Sequence, residues 1–157
     1  VGTVNNKLAS TIDLLPTLSA IAGANLPVKK IDGVNILSLF KGDKDANPRN
    51  HLYYYYNKNS LEGVRMGSWK LVLPHSYQTY EDELPGNDGF PGSRHLDSTG
   101  LELYDLRRDP GERFDVKNQN PEVVKSIMEL VKVAREDLGD DLTEIEGNNR
   151  RDPGRIN

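Results

Sequence analysis

Three histidines, one arginine and a run of carboxylates are the residues whose types and spacing could do chemistry. His75 and His95 flank the stretch PHSYQTYEDELPGNDGFPGSRHLDSTG (74–100), and Arg94 stands beside the second. An arginine can fork two donors onto an anionic group, and imidazoles can donate to the same group. Two readings of the set stand: recognition of an anion, or ordinary polar loop residues. His51 opens the tyrosine-rich run HLYYYY (51–56) beside Asn50 and reads as structural or exposed. The histidines are too dispersed for a zinc pair on one helix or hairpin. Glu81, Asp82 and Glu83 read as a solvated acidic face. DKDANP (43–48) begins like a calcium loop, but Pro48 replaces its glycine and Tyr54 stands where its bidentate glutamate belongs. That segment reads as a solvated turn, and no metal site is expected in this chain.

The chain of 157 residues has no cysteine, which excludes a disulfide scaffold, a thiolate zinc site and a cysteine nucleophile. It contains no phosphate-binding glycine loop, no zinc-protease pair and no serine elbow motif. No catalytic residue is therefore assigned within it. Twenty Lys and Arg stand against 24 Asp and Glu, a net charge of -4, which gives no case for nucleic-acid binding. No apolar run approaches the roughly 20 residues of a membrane span, so no membrane partner is expected. The opening VGTVNNKLAST has neither the basic nor the apolar region of a signal peptide, and a native start is not expected.

The elements that must position these residues follow from periodicity. TIDLLPTLSAIAG (11–23) spaces Leu14, Leu15, Leu18, Ile21 and Ala22 along one helical face, with Asp13 as carboxylate cap, Pro16 in the first turn and Gly23 as the stop. A helical turn is expected around Ile36 to Phe40. HLYYYY reads as a strand, with two tyrosines inward and two outward. LEGVRMG (61–67) and SWKLVLP (68–74) read as a hairpin on a Gly67-Ser68 type II′ turn. Trp69, Leu71 and Leu73 then share one face, and Lys70 and Val72 the other. Residues 74–100 read as one long loop, of a length that is usually functional or disordered. LELYDL gives a fourth strand with Leu101 and Leu103 inward, and Asp109-Pro110-Gly111-Glu112 reads as a type II turn. NPEVVKSIMELVKVAREDLG (120–139) is a helix capped by Asn120, with Val123, Ile127, Leu130, Val131, Ala134 and Leu138 as its apolar stripe. The tail reads as irregular and solvated. The expected fold is α+β: a small four-stranded antiparallel sheet packed by a long C-terminal helix.

Four segments stand together in order: STIDLLPTLSAIAGANLP (10–27), DGVNILSLFKG (32–42), GVRMGSWKLVLP (63–74) and GLELYDLRRDPGERFDVKNQNPEVV (100–124). Together they resemble the C-terminal part of a formylglycine-dependent sulfatase of the arylsulfatase type. The resemblance implies that 1–45 is the last piece of a large α/β catalytic domain of the alkaline-phosphatase type, its helix lying at that domain's edge. It implies that 46–157 is the smaller α+β subdomain. The nucleophile of such enzymes comes from a C/S-x-P-S-R motif, which this sequence lacks. Formylglycine and calcium are thus expected in a missing N-terminal domain, and the chain is expected to be an inactive fragment on its own.

The implied reaction of the parent is hydrolysis of sulfate esters, with sulfated sugars as the substrate class. The implied partners are the chain's own catalytic domain and a sulfated carbohydrate. The implied location is periplasmic or secreted. His75, which follows the W-K-L arm directly, is the first expected substrate contact; Arg94 and His95 come next. Two alternatives stand beside this reading: a phosphoester or phosphonate hydrolase of the same superfamily, and a stand-alone, non-catalytic sugar-binding module.

Overall fold

A computed structural model describes residues 4–150. The chain divides into two compact units, Val1–Leu52 and Tyr53–Asn157.

In the first unit a single 3-10 turn, Thr11–Asp13, leads into helix α1, Leu14–Ala22. Pro16 lies in its first turn, where no helical partner for an N–H is lost. Gly23 ends it at a φ of 65°, and the Gly23 N–H donates to the Ser19 carbonyl. The apolar face is not covered: Leu14, Leu15, Leu18 and Ile21 are 44%, 52%, 59% and 57% exposed. The residues α1 buries are Pro16 and Thr17, and Asp13 just before it is fully enclosed as well.

Asp13 does not serve as the simple helix cap expected of it. Its carboxylate accepts the Ser10 N–H at 2.9 Å and the Val34 N–H at 2.8 Å. It also takes both arms of the Arg49 guanidinium, one through Nε at 2.9 Å. Arg49 in turn donates to the Asp32 carbonyl at 2.9 Å. Thr17 Oγ1 accepts the Ile36 N–H at 3.0 Å, which holds the segment before the short helix α2, Leu37–Phe40. Gly33 permits this packing: a Cβ there would lie 2.1 Å from the Ile12 carbonyl oxygen.

The second unit is built on strands β1 (His51–Tyr56), β2 (Ser60–Met66), β3 (Trp69–Val72) and β6 (Glu102–Asp105), in the order β1-β2-β3-β6. Strand β1 begins at the end of the first unit. Met66 faces Trp69 across the Gly67-Ser68 turn, and Gly67 has a φ of 58°, as a type II′ hairpin requires. Leu61, Val64, Leu71, Leu73 and Leu103 fill one face of the sheet. Helix α3, Pro121–Leu138, lays Ile127, Val131 and Ala134 against them, all without exposed surface. Each large side chain buried this way contributes roughly 1.5–3 kcal/mol. The four-stranded antiparallel sheet and its long C-terminal helix are thus as expected. No described helix is long and apolar enough to cross a membrane.

Four details depart from the sequence reading. The stretch 74–100 is not only a loop: β4 (His75–Thr79) and β5 (His95–Thr99) pair antiparallel as a separate two-stranded sheet. Its residues are mostly exposed on both faces, so no apolar alternation announced it. The 109–112 turn is closed by the Glu112 N–H on the Asp109 carbonyl, but the positive φ falls on Glu112 (54°), not Gly111, so it is not type II. Asp109 Oδ2 instead accepts the Arg113 and Phe114 N–H groups at 2.6 and 2.8 Å, which draws the chain back after the turn. Asn120 stands at the helix cap, yet its amide donates to the Val116 carbonyl at 2.9 Å instead of capping. Finally, the tail starts from a buried anchor. Asp140, fully enclosed, accepts the Leu61 N–H at 3.1 Å, the Leu142 N–H at 3.0 Å and Arg135 Nε at 2.9 Å. Residues 151–157 of that tail lie outside the described residues.

Candidate functional site

The sheet face opposite α3 forms the floor of a cleft of about 780 Å³. Alternation along β3 puts Leu71 into the core and turns Lys70 and Val72 to this cleft. Tyr104 of β6 pairs with Lys70 in register and comes to the same side, as does Glu102. The hairpin of β4 and β5 supplies the opposite wall through His75, Tyr77, Leu96 and Thr99.

Charge in the cleft is paired. Lys70 Nζ lies 2.8 and 2.7 Å from the two Glu112 oxygens and 5.2 Å above the centre of the Tyr54 ring. The positive φ of Glu112, an uncommon conformation for a residue with a Cβ, occurs in the residue that brings this carboxylate to Lys70. The Tyr104 hydroxyl donates to the Glu102 carboxylate. Burial, and then that carboxylate, push the Tyr104 phenol well above its usual range, so it stays a proton donor. The outer hydroxyl of Tyr77 is raised as well, first by the charge of Asp97.

The three residues expected at the substrate fall in two places. His75, half-buried at the root of the hairpin, lines the cleft. Its Nδ1 is 2.7 Å from the Leu73 carbonyl and its Nε2 is 3.2 Å from a Glu62 oxygen. Both neighbours are acceptors, so both contacts are hydrogen bonds only when each ring nitrogen carries a proton. His95 begins β5 at the far end of the hairpin, directly across from Thr79, with its Nδ1 3.3 Å from Glu83. Arg94 precedes it, exposed, and makes no hydrogen bond or ion pair among the described residues. The hairpin therefore joins the three on one element but holds His75 at one end and Arg94 with His95 at the other.

The sequence reading placed Lys70 on the outer face but did not foresee its partner, Glu112, 42 positions away. The one available signal was that outer-face position together with a lone glutamate closing a Pro-Gly turn. No group of three or more histidines and carboxylates among the described residues is arranged to hold a metal ion. The cleft offers donors, acceptors and aromatic faces, an inventory suited to binding.

Comparison with known proteins gives this geometry a family. The model of the family described as the C-terminal region of aryl-sulfatase matches residues 47–152. Arylsulfatase A of Homo sapiens is 33% identical over 135 residues, covering 81% of this chain and 26% of the human protein. N-acetylgalactosamine-6-sulfatase of Mus musculus is 30% identical over 146 residues, covering 86% of this chain and 27% of the mouse protein. The chain thus spans about a quarter of the length of these curated relatives. A solved structure from work on glycosaminoglycan metabolism by Bacteroides thetaiotaomicron superposes with a TM-score of 0.54 at 26% identity, covering 78% of this chain and 24% of that one. Of the four segments that carry the resemblance, 63–74 and 100–124 lie inside the matched span, and this chain belongs to the family of aryl-sulfatase C-terminal regions.

Proposed function

We propose that this chain is the C-terminal part of a sulfate-ester hydrolase acting on sulfated sugars, and that it shapes the substrate pocket without supplying the reacting groups. The observation that carries the reading is the family match over residues 47–152. On this reading 46–157 is the C-terminal subdomain and 1–45 the last piece of the catalytic domain. The uncovered leucine face of α1 supports the second assignment, because an exposed apolar stripe of that size favours a partner surface. The formylglycine and the calcium belong to the catalytic domain outside this chain. The described residues do not fit them, having no cysteine and no carboxylate cluster arranged for a cation. The chain alone is then inactive, and the location is periplasmic or secreted, as for the resemblance on which it rests.

Substrate contact is assigned to the hairpin. Arg94 is exposed and unengaged, so it is available to fork onto a sulfate. His95 sits beside it and adds a donor. His75 acts at the root, where the Leu73 carbonyl and Glu62 hold its ring against the cleft. The test is steady-state kinetics of the intact protein that carries this chain, on a sulfated monosaccharide and on its phosphate analogue. Arg94→Ala is expected to lower kcat/KM for the sulfate ester about tenfold, the loss of one charge-assisted contact. His95→Ala and His75→Ala are expected to act in the same direction. Unchanged kinetics in all three variants would remove the hairpin from the site. A higher kcat/KM on the phosphate ester would replace the sulfatase reading with its phosphohydrolase relative.

A further inference from the structure

The charge pattern of the cleft does not suit an anion. Its carboxylates are Glu62, Glu102 and Glu112, and its basic side chains are Lys70 and His75. Lys70 is engaged by both oxygens of Glu112 and by the Tyr54 ring. His75 already faces the Leu73 carbonyl and the Glu62 carboxylate. A sulfate entering here would have to displace a carboxylate from each basic side chain it sought, while facing the remaining carboxylates.

The surfaces the cleft leaves open are uncharged. Tyr56, Tyr77 and Leu96 are 59%, 36% and 70% exposed and line it. The cleft volume of about 780 Å³ lies within the roughly 300–1,000 Å³ range of small-molecule sites. Flat aromatic faces beside fixed carboxylate acceptors suit a sugar ring. Its C–H face lies against an aromatic plane, and its hydroxyls donate to ionised carboxylates in strong, short hydrogen bonds.

We propose that the cleft between the outer face of the four-stranded sheet and the β4–β5 hairpin binds an uncharged pyranose ring of a glycan, and not its sulfate group. The choice of a glycan rests on the sulfatase reading above. The preference for an uncharged ring rests on the cleft itself. The division of labour is then spatial along one hairpin: sulfate toward Arg94 and His95, neutral ring toward Tyr77 and Leu96.

The experiment measures binding of lactose, N-acetyllactosamine and chitobiose to the intact protein by NMR saturation transfer, separately from any sulfate release. At least one of these neutral disaccharides is expected to bind at around millimolar affinity. Tyr56→Ala and Tyr77→Ala, both at exposed positions, are expected to weaken it about tenfold, as the loss of a stacking face should. Glu112→Gln frees Lys70 and is expected to make the disaccharide displaceable by inorganic sulfate, which the unaltered protein resists. No binding of any disaccharide, binding untouched by either tyrosine variant, or displacement by sulfate without the Glu112 change would overturn the proposal. A protein that binds the disaccharides but releases no sulfate from any ester would keep the cleft and lose the sulfatase reading.

Discussion

Helices α1 and α3 carry the same kind of sequence signal and meet opposite fates. Both have leucine- or valine-rich stripes at helical spacing. In α3 the stripe is consumed: Ile127, Val131 and Ala134 are closed against the sheet. In α1 the stripe is left facing outward, and the helix is held from behind by Asp13, Thr17 and Arg49. Periodicity therefore identifies a face that must be buried but says nothing about what buries it. For α3 the partner is within the chain. For α1 the proposed partner is a catalytic domain outside it.

The largest expected effects break this comparison at its two anchors. Asp13→Ala leaves the Arg49 guanidinium enclosed without its carboxylate, and is expected to cost about 3–5 kcal/mol in the first unit. Ile127→Ala opens a cavity under α3 and is expected to cost about 2–5 kcal/mol in the second. Denaturant unfolding followed by amide exchange in each unit checks both. Losses confined to the same unit for both variants would contradict the separation of polar and apolar anchoring.

A smaller effect comes from pH. Burial alone would raise the Asp13 pKa, but hydrogen bonds from Arg49, Val34 and Ser10 outweigh it, and the carboxyl titrates below its usual 3.8. A carboxylate with a depressed folded-state pKa contributes stability that is complete above about pH 4 and lost as pH falls through the folded value. Exchange of the α1 amides is therefore expected to speed up on acidification below about pH 4, and less so in Asp13→Asn. Equal acid sensitivity in the variant would show that this carboxylate is not the group responsible.

The contrast also explains what was legible in the sequence. The β2–β3 hairpin and α3 could be read because each alternates or repeats against one apolar face. The β4–β5 hairpin could not, because His75–Thr79 and His95–Thr99 pack on little and so carry no apolar rhythm. Asp13 read as a cap because its true partner, Arg49, lies 36 positions downstream. Glu112 was hidden in the same way, since its pairing with Lys70 spans β3, the hairpin and β6. Local signals found the four-stranded sheet, the helices and the segment that frames the cleft, but not the two strands within that segment. Long-range polar pairs, which leave no spacing behind, decided how the cleft is charged.

On the reading proposed above, the leucine face of α1 packs against the part of the catalytic domain outside this chain. Amide hydrogen exchange, run on the 157-residue chain and on the intact protein that contains it, reads out this packing. Leu14–Ala22 is expected to gain protection in the intact protein while Pro121–Leu138 changes little. Equal protection of α1 in both, or a gain in α3 as large as that in α1, would contradict it.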